Sequence, residues 1–235
     1  MTGTSWSLQI PAINTLSDGN YSVTAKVTDI SGNVSIDATS NELVIDTIAP
    51  TIPTVAFQTT NDTTPLITGN ATLNSGETLS VVVNGITYVV GDGKLSQSGN
   101  NWSLQIPSGR ELAEGTYSVV ASIVDAAGNI STDVTNNELV IDLTAPTIPT
   151  VKSLVTNDTT PLITGTATVL PGELFKVTVN GVTYTSGDGK LSVSGTNWSL
   201  QIPSGSEIPN GIYSVIASVI DVAGNIAIDT TNDEL

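Results

Sequence analysis

One pattern along the chain is an alternation of apolar and polar residues with a period of two. In residues 21–28 one set of alternate positions is apolar or small and the other is polar: Tyr21, Val23, Ala25 and Val27 against Ser22, Thr24, Lys26 and Thr28. Successive side chains of a β-strand point to opposite faces of its sheet, so this stretch is predicted to be a strand with one buried face. The same alternation returns at residues 117–124 and predicts a second such strand.

The pattern returns because the whole chain repeats with a period of 96 residues. Trp6, Trp102 and Trp198 stand in the same phrase, Trp-Ser-Leu-Gln-Ile-Pro, and are spaced 96 residues apart. A fixed period indicates an array of one unit rather than one large domain. The predicted units are a partial repeat over residues 1–46, a complete repeat over 47–142 and a nearly complete repeat over 143–235. Met1 falls in mid-unit, so we expect the sequence to be a fragment of a longer array.

The complete repeat reads as a series of short strands separated by turns. Strands are predicted over Leu66–Thr72 and over 117–124, and a hairpin is predicted where Asn84 and Gly85 separate two apolar runs, since Asn-Gly is a strong hairpin signal. Turn signals recur every ~8–12 residues and no helical period is present. The predicted fold class is therefore all-β, with tandem immunoglobulin-like antiparallel β-sandwiches joined end to end.

The amino-acid composition argues against several classes of function. Six basic residues against 22 acidic ones give a net charge of −16, so binding to nucleic acid or to anionic membrane surfaces is not expected. No apolar run approaches the ~20 residues that would cross a bilayer, so membrane insertion is not expected either. The chain has no His and no Cys, which removes Ser-His-Asp and Cys-His catalysis, disulfides and thiolate metal sites. We predict that the protein is not an enzyme and has no catalytic residues.

Several phrases, in order along each repeat, resemble one family. They are Asn-Asp-Thr-Thr-Pro-Leu-Ile-Thr-Gly, Val-Asn-Gly-x-Thr-Tyr, Trp-Ser-Leu-x-Ile-Pro, Asp-x-x-Gly-Asn and Asn-Glu-Leu-Val-Ile-Asp. Together they resemble the bacterial Ig-like repeats of giant type I-secreted surface adhesins, also called RTX or biofilm-associated adhesins. The resemblance implies an extracellular stalk on the bacterial cell surface, which projects adhesive domains and is stiffened by calcium (Ca2+) at its interdomain junctions. Its partners would be neighbouring repeats of the same chain, with a glycan or protein ligand elsewhere in the full-length protein.

The acidic residues also favour calcium on topological grounds. In an end-to-end array the last strand of a sandwich ends at the next unit, and the turn before the last strand faces the preceding unit. Calcium accepts 6–8 oxygen ligands in flexible geometry and suits a site made of loops. The predicted ligands are the linker acids Asp46 and Asp142, the turn acids Asp29, Asp125 and Asp221, the acids Glu77 and Glu173 of a second turn at that pole, and Asp62 and Asp158 at the opposite pole.

Each of these assignments has a structural alternative. Asp, Gly and Asn favour turns on backbone grounds alone, and we expect Asp92 and Asp188 to be turn formers only. Trp102 and Trp198 could stack on a sugar, although we expect them in the core; Tyr117 and Tyr213 are expected to form the tyrosine corner of Ig sandwiches. Two other functions stay open: a glycan- or protein-binding Ig-like module, and a self-associating fibre segment whose partial repeat exposes strand edges.

Overall fold

The computed structural model describes residues 5–235. By contact density the chain divides into two compact units. Unit 1 holds the residues up to Ala56 together with Ile67–Gln105 and Val119–Asn136, and unit 2 holds Phe57–Leu66, Ile106–Ser118 and Asn137–Leu235. Each unit contains parts of more than one predicted repeat. The repeat boundaries at 46/47 and 142/143 therefore stay a prediction from the sequence, and the two units are described separately.

The described residues are almost entirely strands and turns, with one short 3-10 helix at Ala12–Asn14 and no helix long and apolar enough to cross a bilayer. The strands of the partial repeat are β1 Gly19–Tyr21, β2 Lys26–Thr28, β3 Val34–Ile36 and β4 Leu43–Ile45. The next eleven are β5 Thr54–Val55, β6 Gln58–Thr60, β7 Leu66–Asn70, β8 Thr78–Val83, β9 Ile86–Val89, β10 Leu95–Ser98, β11 Asn101–Gln105, β12 Gly115–Tyr117, β13 Val119–Val124, β14 Ile130–Thr132 and β15 Leu139–Ile141. The last eight are β16 Thr150–Val151, β17 Leu162–Thr166, β18 Leu174–Val179, β19 Val182–Thr185, β20 Leu191–Ser194, β21 Asn197–Gln201, β22 Ile216–Ile220 and β23 Ile226–Ile228.

Unit 1 contains two four-stranded sheets, ordered β10-β11-β7-β5 and β14-β13-β8-β9, and the strand pairs β1-β4 and β2-β3. Burial alternates along β8 and β13, so that this sheet has one buried face. Trp102 on β11 is 2% exposed and its Nε1 donates to the oxygen of Thr54 at 3.1 Å, which confirms its core role. Trp6 of the partial repeat is 55% exposed, because residues 5–46 form no comparable core.

Unit 2 contains two four-stranded sheets, ordered β16-β17-β21-β20 and β19-β18-β22-β23, and a three-stranded sheet β12-β15-β6. One apolar cluster joins the two larger sheets and includes Phe175 and Val177 of β18, Trp198 of β21 and Ala217 of β22. The rings of Phe175 and Trp198 lie 5.7 Å apart, centroid to centroid, in a tilted arrangement. Two sheets that bury their inner faces in one core form a β-sandwich, as the alternation of the sequence predicts.

In the three-stranded sheet, the last strand of a repeat lies between two neighbours. β15 pairs antiparallel with β12, where Leu139 is opposite Tyr117, and parallel with β6, where Leu139 is opposite Gln58. The ladder continues one residue further, since the N–H of Asp142 donates to the oxygen of Thr60 at 3.0 Å. This pairing fixes the point at which the chain enters the linker.

Most predicted elements are present, with three differences. The single strand predicted over residues 21–28 is wrong, because only Tyr21 and Lys26–Thr28 lie in strands, β1 and β2, and Val27 is exposed. The predicted hairpin is confirmed: β8 and β9 pair antiparallel across Asn84 and Gly85, both of which have a positive φ. The continuous strand predicted over 117–124 is wrong, because it breaks at Ser118 and its halves join different sheets. The strand predicted to reach Thr72 ends at Asn70. The alternation of burial continues through the break, which is why sequence periodicity does not reveal it.

Tyr117 takes the predicted tyrosine-corner role. Its hydroxyl donates to the oxygen of Ala113 at 2.9 Å, four residues upstream. Tyr21 repeats the bond to the oxygen of Ser17 at 2.8 Å. Each hydrogen bond holds the loop that precedes the tyrosine's own strand, which is β12 for Tyr117 and β1 for Tyr21.

Candidate functional site

Three turns share the sequence Asp-x-x-Gly-Asn, and each is built around its aspartate. In the turn 125–129, Asp125 Oδ1 accepts the N–H groups of Ala127, Gly128 and Asn129 at 2.9, 2.8 and 2.8 Å. Its Oδ2 accepts the side-chain amide of Asn129 at 2.8 Å. Gly128 has a φ of 95°, a conformation that L-residues with a side chain rarely adopt. Sequence and geometry therefore agree that the turn needs Asp at its first position and Gly at its fourth.

The same hydrogen bonds lower the pKa values of the turn aspartates. The side-chain amide of Asn129 holds the pKa of Asp125 below its ordinary value, and Asn33 does the same for the pKa of Asp29. For Asp221, burial raises the pKa, but the bonds from Asn225 and the turn N–H groups outweigh it and the net pKa is lowered. All three carboxyl groups are therefore ionised at neutral pH.

In the second and third predicted repeats, the asparagine at the end of this turn also contacts the linker that precedes the repeat. Asn129 Nδ2 donates to the backbone oxygen of Asp46 at 3.0 Å within unit 1, and Asn225 Nδ2 donates to the backbone oxygen of Asp142 at 2.8 Å within unit 2. The two contacts are 96 residues apart along the sequence. Asn129 and Asn225 were not among the predicted site residues, although their fixed place after Gly was the signal that could have identified them.

The side chains of the linker acids turn the chain locally. Asp46 Oδ1 accepts the N–H of Ile48 at 3.0 Å, and Asp142 Oδ1 accepts the N–H of Thr144 at 3.0 Å. This is the two-residue aspartate turn that needs no ion. The predicted linker position of both acids is therefore what the structure shows, with one carboxylate oxygen used in the turn.

Glu77 and Glu173 lie in a turn beside the Asp-x-x-Gly-Asn turn, as predicted. Glu77 Oε2 accepts the N–H of Asn74 at 2.8 Å and Glu173 Oε2 accepts the N–H of Leu170 at 2.7 Å. A Cβ on Gly172 would lie 2.8 Å from a methyl carbon of Val222, so the turn of Glu173 adjoins the turn of Asp221.

Asp62 lies in the loop between β6 and β7, and Asp158 lies in the matching loop between β16 and β17. Asp62 Oδ1 accepts the N–H of Thr64 at 2.8 Å, and Asp158 accepts that of Thr160 at 2.8 Å. In unit 2 the N–H of Asn61 donates to the oxygen of Ala223 at 3.0 Å. The loop that carries Asp62 therefore lies against the turn that carries Asp221, as the topological argument requires.

The structure thus places some of the acid-bearing loops next to each other, but it does not gather their carboxylates into one cluster. Within residues 5–235, no group of three or more acidic side chains is placed to hold a metal ion. Each of the nine predicted ligands instead accepts hydrogen bonds in its own turn. The calcium site stays a prediction.

A buried glutamate recurs outside the predicted site. Glu138 and Glu234 are 1% and 3% exposed, and Glu234 Oε2 accepts the N–H of Val215 at 2.9 Å. Glu42 makes the matching bond to Val23 at 2.9 Å on an exposed surface. Burial raises the pKa of Glu234, but hydrogen bonds from Thr231 and Val215 outweigh it and the net pKa is lowered. The recurring Asn-Glu-Leu was visible in the sequence, yet nothing in it distinguishes a buried anchor from a surface acid.

Two models of known domain families match the chain. One, a bacterial Ig-like domain, matches residues 56–143. Another, a bacterial Ig-like domain of group 3, matches residues 100–232, which is more than half of the chain. The chain belongs to the bacterial Ig-like domain family. The recognition of bacterial Ig-like repeats from the sequence phrases is thereby confirmed. Comparison of this bacterial Ig-like chain with curated proteins gave no significant match.

Several solved structures are similar to this bacterial Ig-like chain. A 1.5-MDa bacterial ice-binding adhesin is 21% identical over 90% of this chain and 72% of that one, with a TM-score of 0.37. A tetra-tandem repeat from the extending region of a large adhesion protein is 25% identical over 97% of this chain and 59% of that one, with a TM-score of 0.32. A fragment of titin is 12% identical over 76% of this chain and 61% of that one, with a TM-score of 0.42.

Proposed function

We propose that this bacterial Ig-like chain is a structural stalk segment of a bacterial cell-surface adhesin. The observation that carries the proposal is the recurring bond from Asn129 to Asp46 and from Asn225 to Asp142. A stalk must hold each repeat in a fixed orientation relative to the next. Here the first residue of the linker is hydrogen-bonded to the Asp-x-x-Gly-Asn turn of the repeat that follows it. A catalytic or ligand-binding unit has no need for the same contact at every 96-residue step.

Family membership and the adhesin descriptions of similar proteins support an extracellular location on the bacterial surface. The partners are neighbouring repeats of the same chain, and the adhesive ligand belongs to another part of the full-length protein. The role is mechanical, because the number of repeats sets the reach of the stalk and short Pro-containing linkers such as Ala49–Pro53 restrict its backbone.

We further propose that calcium stiffens each junction. The donor set fits, since carboxylate and carbonyl oxygens are the ligands that calcium accepts, whereas zinc prefers nitrogen and sulfur. Asp142, Asp221, Glu173 and Asp62 would hold the ion in unit 2, and Asp46, Asp125 and Glu77 would hold it in unit 1; Asp29 and Asp158 would face further repeats. A bound calcium ion would neutralise part of the net charge of −16 and link acids from successive repeats.

Calorimetric titration of the 235-residue chain with calcium tests the ion. We expect dissociation constants of about 10⁻⁴–10⁻³ M or somewhat tighter, the range of extracellular calcium modules. Asp142→Asn and Asp221→Asn should each weaken binding, whereas Asp37→Asn, which is not a predicted ligand, should not. No heat of binding at millimolar calcium would refute the calcium proposal and leave the acids as turn formers.

Small-angle X-ray scattering of the same chain tests the stalk. In calcium we expect a sharply defined maximum dimension, and in EDTA a broader distribution of dimensions. The double variant Asn129→Ala with Asn225→Ala should broaden the distribution of dimensions further, even in the absence of calcium. An interatomic distance distribution that stays broad in calcium in the parent chain would count against a stiff stalk.

A further inference from the structure

Each of the two linkers begins beside an acid of the repeat that it leaves. In unit 1, Asp18 Oδ1 accepts the N–H and the hydroxyl of Thr47 at 3.1 and 2.8 Å. In unit 2, Glu114 Oε1 accepts the hydroxyl of Thr144 at 3.0 Å. Asp18 and Glu114 are 96 residues apart, so they occupy the same position in two successive predicted repeats. Neither acid is among the predicted calcium ligands.

The tyrosine corner places these acids. The hydroxyls of Tyr21 and Tyr117 donate to the backbone oxygen of the residue directly before Asp18 and directly before Glu114, at 2.8 and 2.9 Å. The loop that carries the acid is therefore held at its own backbone, independently of the linker.

Strand pairing brings the acid to the linker. The glycine that follows each acid is paired with the last residue of the strand that precedes the linker, Gly19 with Ile45 and Gly115 with Ile141. The acid comes one residue before this pair and the linker begins one residue after it. Because the two strands are antiparallel, the acid and the start of the linker lie side by side at the same end of the pair.

The two linkers differ at the residues that the acids contact. Residues 46–48 read Asp-Thr-Ile, whereas residues 142–144 read Asp-Leu-Thr. Asp18, the shorter acid, binds the threonine that directly follows the linker aspartate. Glu114 has one more methylene group and binds a threonine one residue further along the chain. The place of the threonine thus changes together with the length of the acid.

Burial does not explain the reversed order of the threonine and the apolar residue. Ile48 is 70% exposed and Leu143 is 44% exposed, so neither linker places its apolar residue in a core. The threonine hydroxyl, in contrast, is hydrogen-bonded to the acid in both linkers. The hydrogen bond, and not packing, distinguishes the two positions.

The acid adds a second attachment to the linker. The repeat that follows donates from Asn225 to the backbone oxygen of Asp142 at 2.8 Å. The repeat that precedes accepts the Thr144 hydroxyl at Glu114. Thr144 joins the two attachments, because its N–H donates to Asp142 Oδ1 at 3.0 Å. The start of the linker is therefore hydrogen-bonded to residues of both repeats that it connects.

We propose that Asp18 and Glu114 are positioning residues for the linkers, and that each is matched in length to the place of the threonine it binds. A repeat and the linker that leaves it then form a matched pair, and linkers are not interchangeable between repeats. The inference deepens the proposed stalk role and rests on it, because it names the residues by which the preceding repeat holds the junction. The hold needs no ion, since every bond in it has its own donor and acceptor in the chain.

Amide hydrogen exchange of the 235-residue chain in EDTA, followed residue by residue by NMR, tests the matching. We expect Glu114→Asp to raise exchange at residues 143–148 about fivefold, because the shorter acid no longer reaches the hydroxyl of Thr144 and a hydrogen bond is lost. Leu143→Thr combined with Thr144→Ile gives this linker the order of the first one, and should raise exchange as much beside the parent Glu114. All three changes together reproduce the pairing of unit 1 and should restore the parent exchange rates.

Two controls accompany these variants. Residues 47–53 keep their own acid and should exchange at the parent rate in every variant. Glu111→Asp changes an acid of the same loop that accepts the N–H of Gly109 and not a linker group, and should leave residues 143–148 unchanged. Exchange in β18 and β22 at the parent rate confirms that each variant is folded.

The outcomes separate the matched pair from the stalk. A triple variant that exchanges as fast as either partial variant would overturn the matching, and partial variants that exchange at the parent rate would overturn the hold itself. Scattering measures the dimensions of the whole chain, whereas exchange measures one linker. Failure of the rescue with a sharply defined maximum dimension in calcium would thus reject the matched pair and keep the stalk. Restored exchange with a broad distribution in calcium would reject the stalk and keep the matched pair as a local contact.

Discussion

The side-chain amide of Asn225 donates one hydrogen to the carboxylate of Asp221 and the other to the backbone oxygen of Asp142, each at 2.8 Å. Both N–H groups of the amide are therefore used, and the turn and the linker are held by one side chain. Asn129 joins Asp125 and Asp46 in the same way, at 2.8 and 3.0 Å.

Removal of this amide should loosen one linker and leave the other intact. We expect Asn225→Ala to cost about 1 kcal/mol for each lost hydrogen bond and to raise amide hydrogen exchange in residues 143–149. Asn129→Ala is the matched variant and should raise exchange in residues 47–53 instead. Exchange that rises equally in both linkers, or in neither, would contradict a local role for the two asparagines.

The buried glutamate should matter more than its exposed counterpart. Glu234→Ala leaves the N–H of Val215, a residue that is 1% exposed, without its acceptor, and should lower the free energy of unfolding by about 1–3 kcal/mol. In Glu42→Ala water replaces the lost acceptor of Val23, so little change is expected. Urea unfolding followed by tryptophan fluorescence measures both. Similar losses in the two variants would mean that burial does not decide the effect.

A side chain should not be tolerated at two glycines in the core. A Cβ on Gly69 would overlap the oxygen of Thr54 and lie 2.5 Å from the Trp102 ring; on Gly165 it would overlap the oxygen of Thr150 and lie 2.6 Å from Trp198 Nε1. We expect Gly69→Ala and Gly165→Ala to lower the free energy of unfolding by about 1–3 kcal/mol or more, since strand and indole must move apart. Thr68→Ala, on the exposed side of the same strand, is the control for thermal unfolding. A melting temperature for Gly69→Ala as high as that of the control would refute the steric argument.

Acid should weaken the Asp-x-x-Gly-Asn turns. Hydrogen bonding lowers the folded-state pKa of Asp125 and, net of burial, of Asp221 from the ordinary value of 3.8. A lowered folded pKa gives stability that is fully present above the unfolded value and is lost as the pH falls through the folded one. We therefore expect thermal stability to fall as the pH drops below about 4. Asp125→Asn and Asp221→Asn should each flatten this dependence, and a slope equal to that of the parent chain would contradict the assignment.

Local chemistry was sufficient for much of the sequence prediction. Three features depend only on neighbouring residues: the alternation of burial, the turn at Asn84 and Gly85, and the tyrosine corner. The 96-residue period repeats the sequence signal of each feature, which makes it easier to recognise. The core positions of Trp102 and Trp198 follow from the same alternation. The family could be recognised because these phrases keep their order and spacing.

Tertiary structure decided which distant groups meet. The bond from Asn225 to Asp142 spans 83 residues, and that from Glu234 to Val215 spans 19, so neither is marked by a local pattern. The break at Ser118 is equally invisible, because burial alternates through it while the pairing partner changes from one sheet to another. The sequence by itself determined where this protein makes most of its strands and turns, since backbone preference and burial period act over a few residues. Only the folded chain decided which acids are anchors and which amides hold the linkers, since those depend on groups that folding brings together.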